Sequence, residues 1–165
     1  MTDSRTSAHP TQLGMIGLGR MGASMVRRLM ADGHDCVVYD LSPPFVDALV
    51  ADGATGSSDL AGFVGALAAP RSVWIMVPAA FVDDTIGKLT ELLEPGDTII
   101  DGGNSHYHDD IRRAGELATK GITYLDVGTS GGVFGLERGY CLMIGGAQES
   151  VDRLAPVFES LAPGF

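Results

Sequence analysis

Short apolar runs alternate with segments of helical periodicity along most of the chain. This pattern predicts an α/β fold, a doubly wound and mostly parallel sheet with helices on both faces. Residues 13–17 read as the first strand, and Met21, Met25 and Leu29 then recur at intervals of four, with Val26 and Met30 beside them, as the stripe of a helix ended by Gly33. Residues 36–40 form the second strand, and Pro43 suits the first turn of a helix whose buried stripe is expected to be Phe45, Val46, Leu49 and Val50. A short third strand is expected near Ala54 and a helix over 57–67. Residues 73–77, the most apolar run, predict a central strand stopped by Pro78.

The remaining units repeat the theme. Val82, Ile86, Leu89 and Leu93 mark a helix, and 98–101 the fifth strand. Ile111, Ala114, Leu117 and Ala118 give an amphipathic helix closed by Gly121, and 122–127 the sixth strand. A further strand is expected over 140–144, followed by a helical stripe of Val151, Leu154, Phe158 and Leu161. Residues 1–11 are polar and aperiodic and read as a disordered leader, so the domain is expected to occupy 12–165.

Candidate chemistry begins where the first strand meets its helix. Gly17-Leu18-Gly19-Arg20-Met21-Gly22 lies at that junction, the context in which a glycine pattern becomes strong evidence for dinucleotide binding. Gly17 permits the tight turn, Gly19 lets the backbone approach a pyrophosphate, and Gly22 lets helix and strand pack closely. Asp40 closes the second strand, where a Rossmann fold presents a carboxylate to the adenosine ribose hydroxyls. A carboxylate there would repel a 2′-phosphate, and Leu41-Ser42 supplies no arginine to offset it, so NAD is expected in preference to NADP, with NADP possible.

Two polar loops follow later strands. Asp101-Gly102-Gly103-Asn104-Ser105 puts Asn104 where a substrate would meet the nicotinamide, with an amide able to donate and accept without carrying charge. Gly128-Thr129-Ser130-Gly131-Gly132 is a second glycine-rich turn, whose N–H groups and Ser130 hydroxyl could receive a carboxylate or hydroxyl. Taken singly, Asn104 could equally be a turn residue and the second stretch an ordinary loop. His106 and His108 read as solvated residues at a helix start rather than as ligands, and no metal site is expected.

Composition narrows the partners. A formal charge of -10 gives no basic footprint for nucleic acid or an anionic membrane, and no apolar stretch reaches the length of a membrane span. Cys36 and Cys141 each sit in an apolar run and are expected to be buried, reduced thiols, as in a cytoplasmic protein.

Together these residues resemble the β-hydroxyacid dehydrogenase superfamily, in which Gly-Leu-Gly-Arg-Met-Gly, a Gly-His-Asp before the second strand (here Gly33-His34-Asp35) and a Ser-Gly-Gly turn recur in this order. Asp101 to Ser105 with Tyr107 and Arg112-Arg113 resembles 6-phosphogluconate dehydrogenases, as does Gly128 to Gly132 running on to Gly135-Leu136-Glu137-Arg138-Gly139-Tyr140-Cys141-Leu142-Met143-Ile144-Gly145-Gly146, a form similar to the shorter bacterial branch. The resemblance implies oxidative decarboxylation of 6-phosphogluconate to ribulose 5-phosphate in the pentose phosphate pathway. It implies cofactor contacts at Gly17, Leu18, Gly19, Arg20, Met21, Gly22, Asp40, Val77, Pro78 and Asn104, and substrate contacts at Asn104, Ser130, Gly131 and Gly132.

The family's general base lysine and general acid glutamate belong to a C-terminal helical domain absent from this sequence. No catalytic residue is therefore assigned here, the chain alone is expected to be inactive, and the parent enzyme is expected to be a homo-oligomer. Pro78 stands where some NADP-using relatives carry a lysine, in keeping with NAD. The alternatives are a related dehydrogenase of the 3-hydroxyisobutyrate or tartronate semialdehyde reductase type, or a non-catalytic dinucleotide-binding module.

Overall fold

Apolar runs bounded by glycine and polar turns become strands when helices cover both of their faces, and seven such strands build one sheet. A computed structural model describes residues 10–103 and 107–163; the expected leader therefore lies outside the described residues up to position 9. Thr11 already belongs to the fold, since its N–H donates to Nδ1 of His34 at 2.9 Å and its carbonyl accepts from Asp35 N–H.

The strands are β1 (Gln12–Ile16), β2 (Asp35–Tyr39), β3 (Thr55–Gly56), β4 (Ser72–Ile75), β5 (Thr98–Asp101), β6 (Thr123–Ser130) and β7 (Cys141–Gly145). Their order is β3-β2-β1-β4-β5-β6-β7; all neighbours are parallel except β6 and β7. The helices are α1 (Arg20–Ala31), α2 (Pro43–Ala51), α3 (Leu60–Gly65), α4 (Val82–Thr90), α5 (Tyr107–Ala118), α6 (Gly135–Arg138), α7 (Gln148–Arg153) and α8 (Ala155–Leu161). The strand order reverses between β1 and β4, and open sheets of this kind bind ligands beyond the strand C-termini at such a switch point.

Alternation along each strand divides the interior into two cores. Leu13, Met15, Cys36, Val38, Trp74, Ile100, Leu125 and Val127 face α1, α2 and α8 through Met25, Leu29, Leu49, Val157 and Leu161. Ile16, Val37, Val73, Ile75 and Ile99 face α3, α4 and α5 through Phe63, Val64, Ile86, Leu89 and Leu117. Trp74 is fully buried on β4, the middle strand of the seven, as the apolar run predicted.

Several expectations are corrected. Strand β4 ends at Ile75 and not at Val77. On α2 only Val46 and Leu49 are buried; Phe45 and Val50 are about half exposed, because the helix lies beside the two-residue strand β3 and is covered along one line only. Ile111 is 65% exposed, since the inward line of α5 is taken by Asp110, Arg113 and Leu117. The last stripe is two helices: Pro156 lacks the N–H that would continue the ladder, and Leu154 leaves helical geometry between α7 and α8. Cys36 is buried, and burial pushes its thiol up to about 12, but Cys141 is exposed on the edge strand β7.

The C-terminal helices are tied back to the start of the chain. The Arg28 guanidinium donates to the carbonyls of Ser160 (2.8 Å), Ala162 (2.9 Å), Leu136 (3.1 Å) and Glu137 (3.4 Å), a cation at the ends of α8 and α6. Because Nδ1 of His34 accepts from Thr11, its Nε2 carries the proton and donates to Ser160 Oγ at 2.7 Å. Burial lowers the pKa of this imidazole.

Candidate functional site

The C-termini of β1, β4, β5 and β6 share one edge of the sheet, because these four strands are parallel. The edge is stitched by Gly17 N–H to Tyr39 carbonyl, Met76 N–H to Ile16 carbonyl and Gly102 N–H to Ile75 carbonyl. Five of the sequence-derived candidates, Gly17, Leu18, Gly19, Arg20 and Asp40, sit around the turn that follows β1.

Each glycine of that turn has a distinct surrounding. Gly17 adopts φ +94°, which favours glycine, and a Cβ there would come within 2.5 Å of the Met76 carbonyl oxygen. A Cβ on Gly22 would collide with the Gly17 carbonyl, so this position is closed by packing. A Cβ on Gly19 would meet nothing within 4 Å. The space beside Gly19 is therefore open among the described residues.

Gly19 is also the N-cap of α1 and provides no side-chain cap, and the first intrahelical bond runs from Ala23 N–H to its carbonyl. The N–H groups of the first turn have no acceptor within the helix and face an end carrying partial positive charge. A 12-residue helix with this opening fits a pyrophosphate. Asp40 Oδ2 accepts from Leu18 N–H at 2.7 Å and Oδ1 from Ser42 N–H at 2.7 Å. Each oxygen keeps a lone pair, enough for two ribose hydroxyls. Leu41 beside it is 89% exposed.

Val77 and Pro78 follow β4 as irregular chain, Pro78 capping a short turn over Ala79–Phe81. The start of the loop after β5 packs closely beside them: Gly103 lies near the Val77 carbonyl, and Gly102 leaves no room for a Cβ against Trp74 and Met76. Asn104, expected to meet both cofactor and substrate, lies outside the described residues, as does His106.

Among the described residues, strand β6 pairs with β5 only as far as Asp126, opposite Asp101, and beyond that point pairs with β7 alone. Ser130 pairs with Cys141 at the far end, about 13 Å beyond Asp126 at the usual strand rise. Gly131 is packed rather than open, since a Cβ would come within 2.8 Å of the Tyr140 ring, whereas Gly132 has φ +54° and open space. Thr129 Oγ1 is buried with no partner among the described residues.

Sequence reasoning missed a buried ionic cluster beneath the loop after β5. The Tyr124 hydroxyl lies 2.8 Å from Asp101 Oδ2 and 2.8 Å from Asp110 Oδ1. A phenol carries one proton, so the hydroxyl donates to one of these two carboxylates at a time. Arg113, 4% exposed, donates to Asp101 at 3.2 Å and to Asp83 at 2.8 Å. Burial opposes its charge, but hydrogen bonds to Asp83 and Tyr124 hold its pKa above the ordinary value. The Arg113 hydrogen bond lowers Asp83. Burial, then the charges of Asp110 and Asp101, pushes Asp126 up to about 6. The signal available in sequence was Asp101, Tyr124 and Asp126 interrupting otherwise apolar strands.

Among the described residues no cluster of three His, Cys, Asp or Glu could hold a metal, and no helix is long and apolar enough to cross a membrane. A groove between α4 and α5, lined by Ile86, Gly87, Thr90, Leu117 and Lys120, contains none of the candidate residues.

A mostly parallel sheet with a switch point, a glycine turn opening α1 and a carboxylate directly after β2 define a dinucleotide-binding Rossmann domain. The family model described as the NAD binding domain of 6-phosphogluconate dehydrogenase matches residues 12–164, and the chain belongs to that family. It is 44% identical over 154 residues to the NAD(+)-dependent, decarboxylating 6-phosphogluconate dehydrogenase of Haloferax volcanii, covering 93% of this chain and 50% of that protein. It is 41% identical to the protein of the same name from Bacillus subtilis, covering 91% and 33%. The chain thus spans a third to a half of the length of these curated relatives. Among solved structures, the Plasmodium falciparum 6-phosphogluconate dehydrogenase, studied with NADP+ and with 6-phosphogluconate, superposes with TM-score 0.86 at 28% identity, over 93% of this chain and 34% of that one. The Mycobacterium tuberculosis 3-hydroxyisobutyrate dehydrogenase superposes with TM-score 0.85 at 26% identity, over 93% and 53%.

Proposed function

We propose that this chain is the cofactor half of an NAD-dependent 6-phosphogluconate dehydrogenase that oxidatively decarboxylates its substrate to ribulose 5-phosphate. The observation that carries the reading is the open, uncapped turn at Gly19 beside the Asp40 carboxylate. The first-turn N–H groups of α1 hold the pyrophosphate, and Gly17, Leu18, Arg20, Met21 and Gly22 shape that contact. Asp40 accepts from the ribose hydroxyls, and Val77 and Pro78 border the path toward the nicotinamide. The dinucleotide supplies the hydride acceptor.

Asn104 and the stretch Ser130-Gly131-Gly132 orient the sugar acid, an amide and a hydroxyl offering donors that add no charge to the reacting centre. With Gly131 packed against Tyr140, the contacts from this stretch come from backbone N–H groups and the Ser130 hydroxyl. The proton of the oxidised hydroxyl goes to a base supplied from outside this chain, as the family resemblance implies. General-base assistance is worth about 10²- to 10⁴-fold, so the isolated chain turns over no substrate.

NAD is preferred because Asp40 repels a 2′-phosphate and no cation adjoins it at Leu41-Ser42. The parent is proposed to be a cytoplasmic homo-oligomer. The decisive assay follows NADH formation and carbon dioxide release with 6-phosphogluconate, using the chain alone and the chain continued through a second half of the relatives' length. Turnover only by the longer protein is expected. Turnover of 3-hydroxyisobutyrate in preference to the sugar acid would overturn the substrate assignment.

A further inference from the structure

His34 lies where three parts of the fold meet: the chain entering β1, the turn between α1 and β2, and α8. It is buried, and each ring nitrogen has its own partner. Thr11 N–H donates to Nδ1 at 2.9 Å, Nε2 stands 2.7 Å from Ser160 Oγ, and the Ser160 hydroxyl donates to the Pro156 carbonyl at 3.0 Å. Only one placement of protons fills this run. A backbone N–H can only donate, so Nδ1 is bare and the ring proton is on Nε2. Ser160 Oγ accepts that proton and gives its own to Pro156. A neutral imidazole in a single tautomer thereby joins the entry of β1 to α8.

A second proton on the ring breaks the run at one point. An imidazolium has no acceptor on either nitrogen, so the Thr11 N–H loses this partner however the ring turns, while Nε2–H still reaches Ser160. The surrounding groups act in both directions. Burial opposes the cation, and the Asp32 carboxylate and the carbonyls of Pro156 and Thr11 favour it less strongly. From α1, the Arg28 guanidinium at the Ser160 carbonyl adds positive charge on the α8 side. Asp35 on β2 is exposed and accepts from Gln12 at 3.1 Å, and Glu159 on α8 is exposed.

We propose that His34 is a proton-operated latch on the entry of β1: the neutral ring holds the Thr11 N–H, and the doubly protonated ring releases it while staying joined to Ser160. The opening is local, because the Thr11 carbonyl still accepts from Asp35 N–H at 3.2 Å and the ladder of β1 with β2 and β4 does not involve the ring. The latch operates whatever ligand the glycine turn takes.

Nuclear magnetic resonance on the 165-residue chain, from about pH 8 to about pH 5, follows both sides of the latch. Nitrogen shifts of the His34 ring, identified by their loss in His34→Phe, report its tautomer and its protonation. Amide exchange, corrected for its ordinary pH dependence, reports protection of Thr11 and of Met15, which is paired on both sides within β1. The Nε2–H tautomer is expected at the upper pH. Thr11 protection is expected to fall about threefold to tenfold in step with ring protonation, the loss of one hydrogen bond, while Met15 keeps its own. His34→Phe is expected to show the low Thr11 protection at every pH, with no step. A neutral ring protonated on Nδ1, a ring that stays neutral until the whole chain unfolds, Thr11 protection that ignores ring protonation, or Met15 falling together with Thr11 overturns the latch. So does a pH step in Thr11 that persists in His34→Phe. Should that variant fail to fold, the ring is assigned through its coupling to the His34 backbone, and the wild-type comparison of ring and amide decides alone.

Discussion

The Asp40 carboxylate accepts the N–H of Leu18 at 2.7 Å, so the residue that follows β2 also braces the glycine turn after β1. One side chain thereby links the adenosine end of the candidate site to its phosphate end. Removing its charge while adding a cation next to it should reverse the cofactor choice. The double variant Asp40→Ser, Leu41→Arg is expected to move the ratio of NADP to NAD affinity by about tenfold or more toward NADP, on the order of 1.4 kcal/mol. Paired titrations of both nucleotides read that ratio directly.

Gly22 is closed by packing. A methyl group there would strike the Gly17 carbonyl, and neither backbone segment can move without disturbing the β1 to α1 junction. Gly22→Ala is expected to destabilise the fold by about 1–3 kcal/mol, the usual cost of overpacking. Urea unfolding followed by far-ultraviolet circular dichroism measures it.

Arg28 gathers four carbonyl oxygens from the ends of α6 and α8. Arg28→Met keeps the apolar stem and removes every donor, leaving Ser160 and Ala162 carbonyls short of partners. A loss of about 2 kcal/mol is expected, the scale of hydrogen bonds to a charged group. Amide hydrogen exchange should rise first in α8, where the staple ends.

Buried His34 and half-buried Asp126 give opposite pH signatures. His34 has its pKa lowered from 6.5 by burial, so the unfolded chain binds the proton more tightly. Its contribution to stability is present above pH 6.5 and is lost as pH falls below it. Asp126 is raised from 3.8 to about 6, so the folded chain binds that proton more tightly. Its contribution is present below pH 3.8 and is lost as pH rises through about 6. Asp126→Asn should therefore make stability climb more steeply between pH 4 and 6.5 than it does in the wild type. Urea midpoints taken across that range compare the two slopes.

Much of the architecture was legible because the buried strands carry uninterrupted apolar runs; Val73, Trp74 and Ile75 pointed to the centre of the sheet and lie there. The glycine turn was legible for the same kind of reason, since Gly17 and Gly22 are dictated by backbone geometry alone. The inward line of α5 was not. Asp110 and Arg113 occupy it in place of Ile111, satisfied by Tyr124, Asp101 and Asp83 from other elements. A count of apolar periodicity cannot register polar groups that are buried because their partners arrive from 12 to 30 positions away. Cys141 misled in a related way, as β7 is an edge strand with one uncovered face and its apolar run is only half buried.

Gly19 offers the sharpest test, because it is open where its neighbours are packed: its φ of -62° suits any residue, and an added methyl would touch nothing in the protein. Calorimetric titration of NAD into the wild-type chain and into Gly19→Ala, with melting temperatures recorded for both, is the measurement to make. One NAD per wild-type chain is predicted, with affinity reduced about tenfold or more in Gly19→Ala at an unchanged melting temperature. Equal NAD affinity in the two proteins, or no binding by the wild type, would contradict dinucleotide binding at this turn.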